Sequence, residues 1–108
     1  MNVLFTMYVG TEYDKNNLRI SNEQHMNARM QLEQNLIDFV SGFTLAHMNG
    51  AWKNSEGDIQ KEISIKYEIT ADRTCLPDII AIANEYKKTM NQDCVLLNMQ
   101  ELPYSEFI

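Results

Sequence analysis

The clearest pattern along the chain is the alternation that follows Gly57. Ile63, Ile65, Tyr67 and Ile69 fall on one side of an extended segment, and Glu62, Ser64, Lys66 and Glu68 fall on the other. This predicts a strand at about 59–70. Ahead of it, Asn54-Ser55-Glu56-Gly57 has turn chemistry, because glycine reaches positive φ without steric cost. Residues 50–64 therefore read as a β-hairpin, with Trp52 at the end of one strand and Glu62 and Ser64 at the start of the next. A preceding strand is expected at 43–49.

Toward the N-terminus, Val3, Phe5, Met7 and Val9 alternate with Leu4, Thr6 and Tyr8, which predicts a strand that is apolar on both faces and ends at Gly10. Residues 11–20 form a polar loop with Asp14, Asn16 and Asn17 as turn formers. Ser21 suits the N-cap of a helix running to about Val40, with Glu23 and Gln24 in its first turn. Its apolar stripe is Ala28, Leu32, Leu36, Phe39 and Val40, and Gly42 is expected to stop it. Residues 71–74 are a polar connection. Pro77 fits the first turn of a second helix, in which Leu76, Ile79, Ile80, Ala83, Tyr86 and Met90 recur at helical spacing and Asn91 marks the end. Residues 94–97 predict a short strand apolar on both faces. The tail from Gln100, with Pro103, is read as an edge strand or a segment packed across the sheet.

The order β-α-β-β-α-β predicts an α+β fold, a ferredoxin-like sandwich with an antiparallel sheet and both helices on one face, as a single domain over residues 1–108. The other sheet face would carry apolar groups from the first and last strands. An apolar patch of that kind marks an interface, so a homo-oligomer formed through this face is expected. The alternative is cover within one chain by the tail or the loop at 11–20.

Composition narrows the function classes. The 108 residues suffice for one core, and a hydrophobic content of 44% is ordinary for a globular chain. No apolar run approaches the roughly 20 residues that span a bilayer, so no membrane association is expected. The N-terminus lacks the basic start and cleavage site of a signal peptide, which suggests a cytoplasmic protein. A net charge of −6 repels phosphate backbones and argues against nucleic-acid partners. Cys75 and Cys94 read as small buried apolar groups rather than a disulfide. His25 and His47 are isolated, no metal-ligand spacing exists, and neither a metal nor a cofactor is expected.

No catalytic motif stands out by spacing, so each candidate has a plain alternative. Trp52, the only tryptophan, could cap the core, stack on a flat ligand or face a cation. Glu62 could hold a ligand ammonium or a ribose hydroxyl, or simply pair across strands with Lys53 or Lys61. Gln92 could cap the helix end or present its amide to a ligand. Met26 and Met30 are assigned to the core or its flank.

Taken together, Gly50-x-Trp52, Glu62-x-Ser64, the Arg29 to Leu36 stretch and Gln92-Asp93-Cys94-Val95-Leu96-Leu97 resemble the small phage S-adenosylmethionine lyases, formerly called hydrolases. The resemblance covers most of residues 25–98 at low identity, the Gln92 segment being its most specific part. It departs at Trp52, where that family usually has tyrosine. A family of small uncharacterised bacterial proteins is similar over the same hairpin and keeps the tryptophan. Both groups are ferredoxin-like. The lyase resemblance implies a trimer that binds S-adenosylmethionine between subunits and lets the substrate's carboxylate expel 5′-methylthioadenosine, leaving homoserine lactone. It further implies a catalytic role for Glu62 and substrate contacts from Trp52, Ser64 and Gln92. The alternative is a non-enzymatic phage or bacterial interaction protein on the same fold.

Overall fold

The computed structural model describes residues 1–53 and 55–108. Its elements are β1 (Asn2–Gly10), α1 (Asn22–Val40), β2 (Thr44–Lys53), β3 (Ile59–Asp72), a 3₁₀ turn (Arg73–Cys75), α2 (Leu76–Thr89) and β4 (Leu96–Glu101). The strands form one antiparallel sheet in the order β2-β3-β1-β4, the ferredoxin-like arrangement.

The alternation decides which way the sheet faces. Val3, Phe5, Met7 and Val9 of β1 are fully buried, as are Ile65, Tyr67 and Ile69 of β3. They meet Ala28, Leu32, Leu36 and Val40 of α1 and Ile79, Ile82, Ala83 and Tyr86 of α2. Each large apolar side chain removed from water here contributes about 1.5–3 kcal/mol. Ser21 caps α1, its hydroxyl accepting from the Gln24 amide at 3.1 Å. Pro77 sits in the first turn of α2, where a missing N–H costs no helical bond.

Several expectations are corrected. Phe39 is 61% exposed and lies outside the buried stripe of α1. The helix ends at Ser41, which takes the left-handed conformation (φ 78°), so Gly42 is not the stop. In α2, Ile82 is buried while Ile80 is exposed. The strand expected at 94–97 runs from Leu96 to Glu101, leaving Cys94 and Val95 outside it and Gln100 within it. Cys94 is exposed and Cys75 only partly buried; both are free thiols. Met26 and Met30 are exposed. Gly57 has the positive φ expected of the turn (86°), whereas Asn54 lies outside the described residues.

The β2–β3 hairpin is longer than the sequence pattern suggests and runs beyond the helices. There the alternation persists without a core to cover it. Ile59 and Ile63 are on the helix side yet 70% and 46% exposed. The sheet face away from the helices is set by the strand register. Tyr8 stands beside Leu96 and Lys66, Gly10 beside Ser64, Met48 beside Ser64, Gly50 beside Glu62, and Trp52 beside Gln60. Trp52, Glu62 and Ser64 thus share the open face.

Candidate functional site

Where β1 ends, the open face carries a small polar cluster. Gly10 is the register partner of Ser64, so Glu62 is the next residue along the same face of β3. A Cβ built on Gly10 would lie 2.5 Å from Glu62 Oε1 and 2.7 Å from Gln92 Oε1. Two side chains thirty residues apart in sequence therefore converge above one glycine. Trp52 lies on the same face, close enough for its indole to lower the Glu62 pKa.

Each member is held in place. α2 ends at Thr89, and two residues on Asn91 takes a left-handed conformation (φ 51°), after which Gln92 reaches the end of β1 at Gly10. Gln92 Nε2 donates to the carbonyls of Tyr13 at 3.0 Å and Met90 at 3.3 Å. Its amide nitrogen is spent on backbone, and its oxygen is left as an acceptor toward Gly10. The helix-end role and the presented amide, alternatives from sequence, are thus combined. The Tyr86 hydroxyl donates to the Gly10 carbonyl at 2.8 Å, tying α2 to the same point. Beside it, Thr11 Oγ1 donates to the Ile63 carbonyl at 2.9 Å, and the Ile63 amide donates to Glu12 Oε1 at 2.6 Å. A groove of about 580 Å³ runs past Glu62 along the hairpin, but Asn49, Lys61 and Ile63 in its lining are helix-side positions, so it is not confined to the open face.

Electrostatics follow from this packing. Partial burial raises the Glu62 pKa above the usual glutamate value, and the nearby Glu12 charge raises it further, while the Trp52 indole opposes both. Neither Lys53 nor Lys61 shares its face, since both sit opposite helix-side positions in the register. Among the described residues no ion pair involves Glu62. The cluster is rich in acceptors and poor in protein donors.

Of the sequence candidates, Trp52, Glu62 and Gln92 come together, with Ser64 beside Gly10 on the same face. Gly10, Glu12 and Tyr86 belong to the cluster and were not nominated. Their sequence signals are only a strand end, a loop acid and a core aromatic; the register makes them neighbours. A second polar group lies between α1 and the sheet. There Arg29 Nε and the Tyr67 hydroxyl each donate to Glu33 Oε2 at 2.7 Å. His25 Nε2 is buried nearby without a partner, and burial, Arg29 and His47 lower its pKa. This group includes part of the Arg29 to Leu36 stretch but none of the open-face residues. Among the described residues no three His, Cys, Asp or Glu side chains gather as a metal-binding group. No helix is long and apolar enough to cross a membrane among them.

Fold and cluster define a small ferredoxin-like α+β protein with a polar recess on its open sheet face. Residues 5–105 match the model of a family described as a protein of unknown function (DUF3574), and the chain belongs to that family. No curated protein matches it in sequence. Among solved structures it is similar to a phage SAM lyase in complex with S-methyl-5′-thioadenosine. That match has 13% identity, a TM-score of 0.69, and coverage of 93% of this chain and 81% of the other. It is also similar to the divalent cation tolerance protein Cut A1 from Thermus thermophilus, at 7% identity and TM-score 0.65, covering 98% and 88%. The periplasmic divalent cation tolerance protein CutA from Archaeoglobus fulgidus matches at 8% identity and TM-score 0.62, covering 98% and 88%. At these identities the likeness is one of fold.

Proposed function

We propose that the protein is an S-adenosylmethionine lyase that cleaves its substrate to 5′-methylthioadenosine and homoserine lactone at the Glu62 recess. The observation carrying this reading is the convergence of Glu62 and Gln92 above Gly10, with Trp52 beside Glu62 on the open face. Their segments are those on which the lyase resemblance rests, and the structural likeness to the phage SAM lyase supports it at the level of fold.

The chemistry suits a site with no recognisable acid–base pair. One carboxylate oxygen of the substrate attacks its own γ-carbon. The γ-carbon–sulfur bond breaks, its electron pair returns to sulfur, and the neutral thioether leaves. No proton moves and no oxidant is needed. The protein's task is to fold the methionine moiety into attack geometry and to exclude water, which together can lower the barrier by several kcal/mol. In this reading Glu62 holds the ammonium end and Trp52 walls the sulfonium or adenosine. Gln92 and Ser64 supply polar contacts. A lysine or arginine held against the substrate carboxylate would blunt the nucleophile; Lys61 lines the adjoining groove but sits on the other face from Glu62. The reading includes a homo-oligomer, a trimer by the lyase resemblance, in which the open face of a neighbouring copy closes the recess.

The test is incubation of purified protein with S-adenosylmethionine and chromatography of the products. Methylthioadenosine and homoserine lactone in equal amounts are expected, and absence of both sinks the reading. Glu62→Gln should retain its fold by circular dichroism and lose turnover by roughly 10²-fold or more, in the range seen when a preorganised electrostatic group is removed.

A further inference from the structure

We propose that Gly10 is a specificity-determining position of this recess: its missing side chain lets Glu62 Oε1 and Gln92 Oε1 form a two-acceptor cradle that takes a primary ammonium of the ligand. This rests on the reading of the cluster as the ligand site, but not on the ligand being S-adenosylmethionine.

Gly10 does not have positive φ, so backbone conformation does not call for glycine there. Space does. An alanine Cβ would sit 2.5 Å from one oxygen and 2.7 Å from the other, well inside van der Waals contact. Gln92 is not free to swing away, because its amide nitrogen is held by the carbonyls of Tyr13 and Met90. Glu62 is partly buried beside it, with the Trp52 indole close by. Gly10 itself is fixed by its pairing with Ser64 and by the Tyr86 hydroxyl on its carbonyl.

Both oxygens are acceptors, and they lie close enough to one point for a single nitrogen to donate to both at ordinary distances of about 2.7–2.9 Å. Among the described residues the nearby cations are engaged elsewhere: Arg29, whose charge reaches the Tyr86 hydroxyl, pairs with Glu33 at 2.7 Å. Lys66 pairs with Glu68 at 2.9 Å. Arg19 lies over the Tyr13 ring and donates to its hydroxyl. Lys53 and Lys61 belong to the other face. Glu12 and the Tyr86 hydroxyl are further titratable neighbours, and Glu12 adds negative charge. A primary ammonium brings three N–H donors and a positive charge to this place. A quaternary ammonium brings the charge without a donor, and its methyl groups would need the room that the two oxygens occupy.

The single tryptophan provides the readout. Its indole N–H gives one signal in a ¹⁵N spectrum, and the indole lies beside Glu62. Methylammonium chloride is expected to shift that signal saturably, and tetramethylammonium chloride at equal ionic strength is not. Gly10→Ala should weaken the methylammonium response by about tenfold or more. If that variant fails to fold, Gln92→Met, which removes the acceptor and leaves the backbone, should show the same loss. Equal shifts from the two salts, or unchanged affinity in Gln92→Met or in a folded Gly10→Ala, would overturn the cradle. A wild-type protein that discriminates the two salts yet leaves S-adenosylmethionine intact keeps the cradle and discards the lyase. Cleavage of S-adenosylmethionine by Gly10→Ala with wild-type KM and kcat keeps the lyase and discards the cradle.

Discussion

Glu62 is held where its charge is a burden. Burial and Glu12 raise its pKa by more than the Trp52 indole lowers it. Between the ordinary glutamate pKa and the raised folded value, the folded state binds more protons than the unfolded state. Stability therefore falls as pH rises through that window. At neutral pH, Glu62→Gln removes the burden and should raise the melting temperature by a few degrees, even while turnover is lost. Below the ordinary glutamate pKa the two proteins should melt alike. Melting curves of both across pH 3–8 check this, and a gap that does not close in acid would contradict it. The residue's face was legible in the alternation around Ile63 and Ile65. Its partners were not: Lys61 is adjacent in sequence but points the other way, while Gly10 and Gln92 reach Glu62 only through pairing across the whole chain.

At the scale of elements, periodicity located every helix and strand and blurred their ends. Phe39 fits the stripe of α1 by spacing, but it lies at the flank, where the sheet no longer covers the helix. Ile80 and Ile82 are both apolar, but the i, i+3, i+4, i+7 spacing from Ile79 places Ile82 with Ala83 and Tyr86 on the buried stripe and turns Ile80 out. The last strand slid toward the C-terminus because β1 offers partners from Val3 to Tyr8, and register outweighs local apolar content. The end of α1 gives a quantitative test. Ser41 adopts φ 78° while its amide closes the helix onto the Ile37 carbonyl at 3.2 Å. A side chain in that conformation costs about 1–2 kcal/mol, partly offset by the greater unfolded-state freedom of glycine. Ser41→Gly should therefore stabilise the protein by about 0.5–1 kcal/mol. Urea unfolding should show a higher midpoint with an unchanged slope. A lower midpoint would mean that the serine hydroxyl has a stabilising role there.

The molecule as a whole is more extended than one chain of its length requires. Its radius of gyration is 14.6 Å and its long axis 44 Å, against about 13 Å expected for the radius of a compact domain of this size. The β2–β3 arm carries exposed Ile59, Ile63, Met48 and Trp52. The open face adds Leu96, 55% exposed, next to Tyr8. Neither the loop at 11–20 nor the tail buries Leu96. Tyr104, Phe107 and Ile108 of that tail are themselves exposed. Apolar surface of this kind on both faces of an arm, at the mouth of a polar recess, fits association with further copies of the chain. A charge placed in such a contact should break it, because a buried unpaired ammonium costs several kcal/mol. Under the proposed lyase reading, native mass spectrometry should find a trimer for the wild type and the 12.6 kDa single chain for Leu96→Lys. Leu96 is not one of the recess residues, so turnover of S-adenosylmethionine lost along with assembly would mean that a neighbouring copy completes the site. Full turnover by a monomeric Leu96→Lys would confine the recess to one chain, and a variant that stays trimeric would move the subunit contact away from the open face.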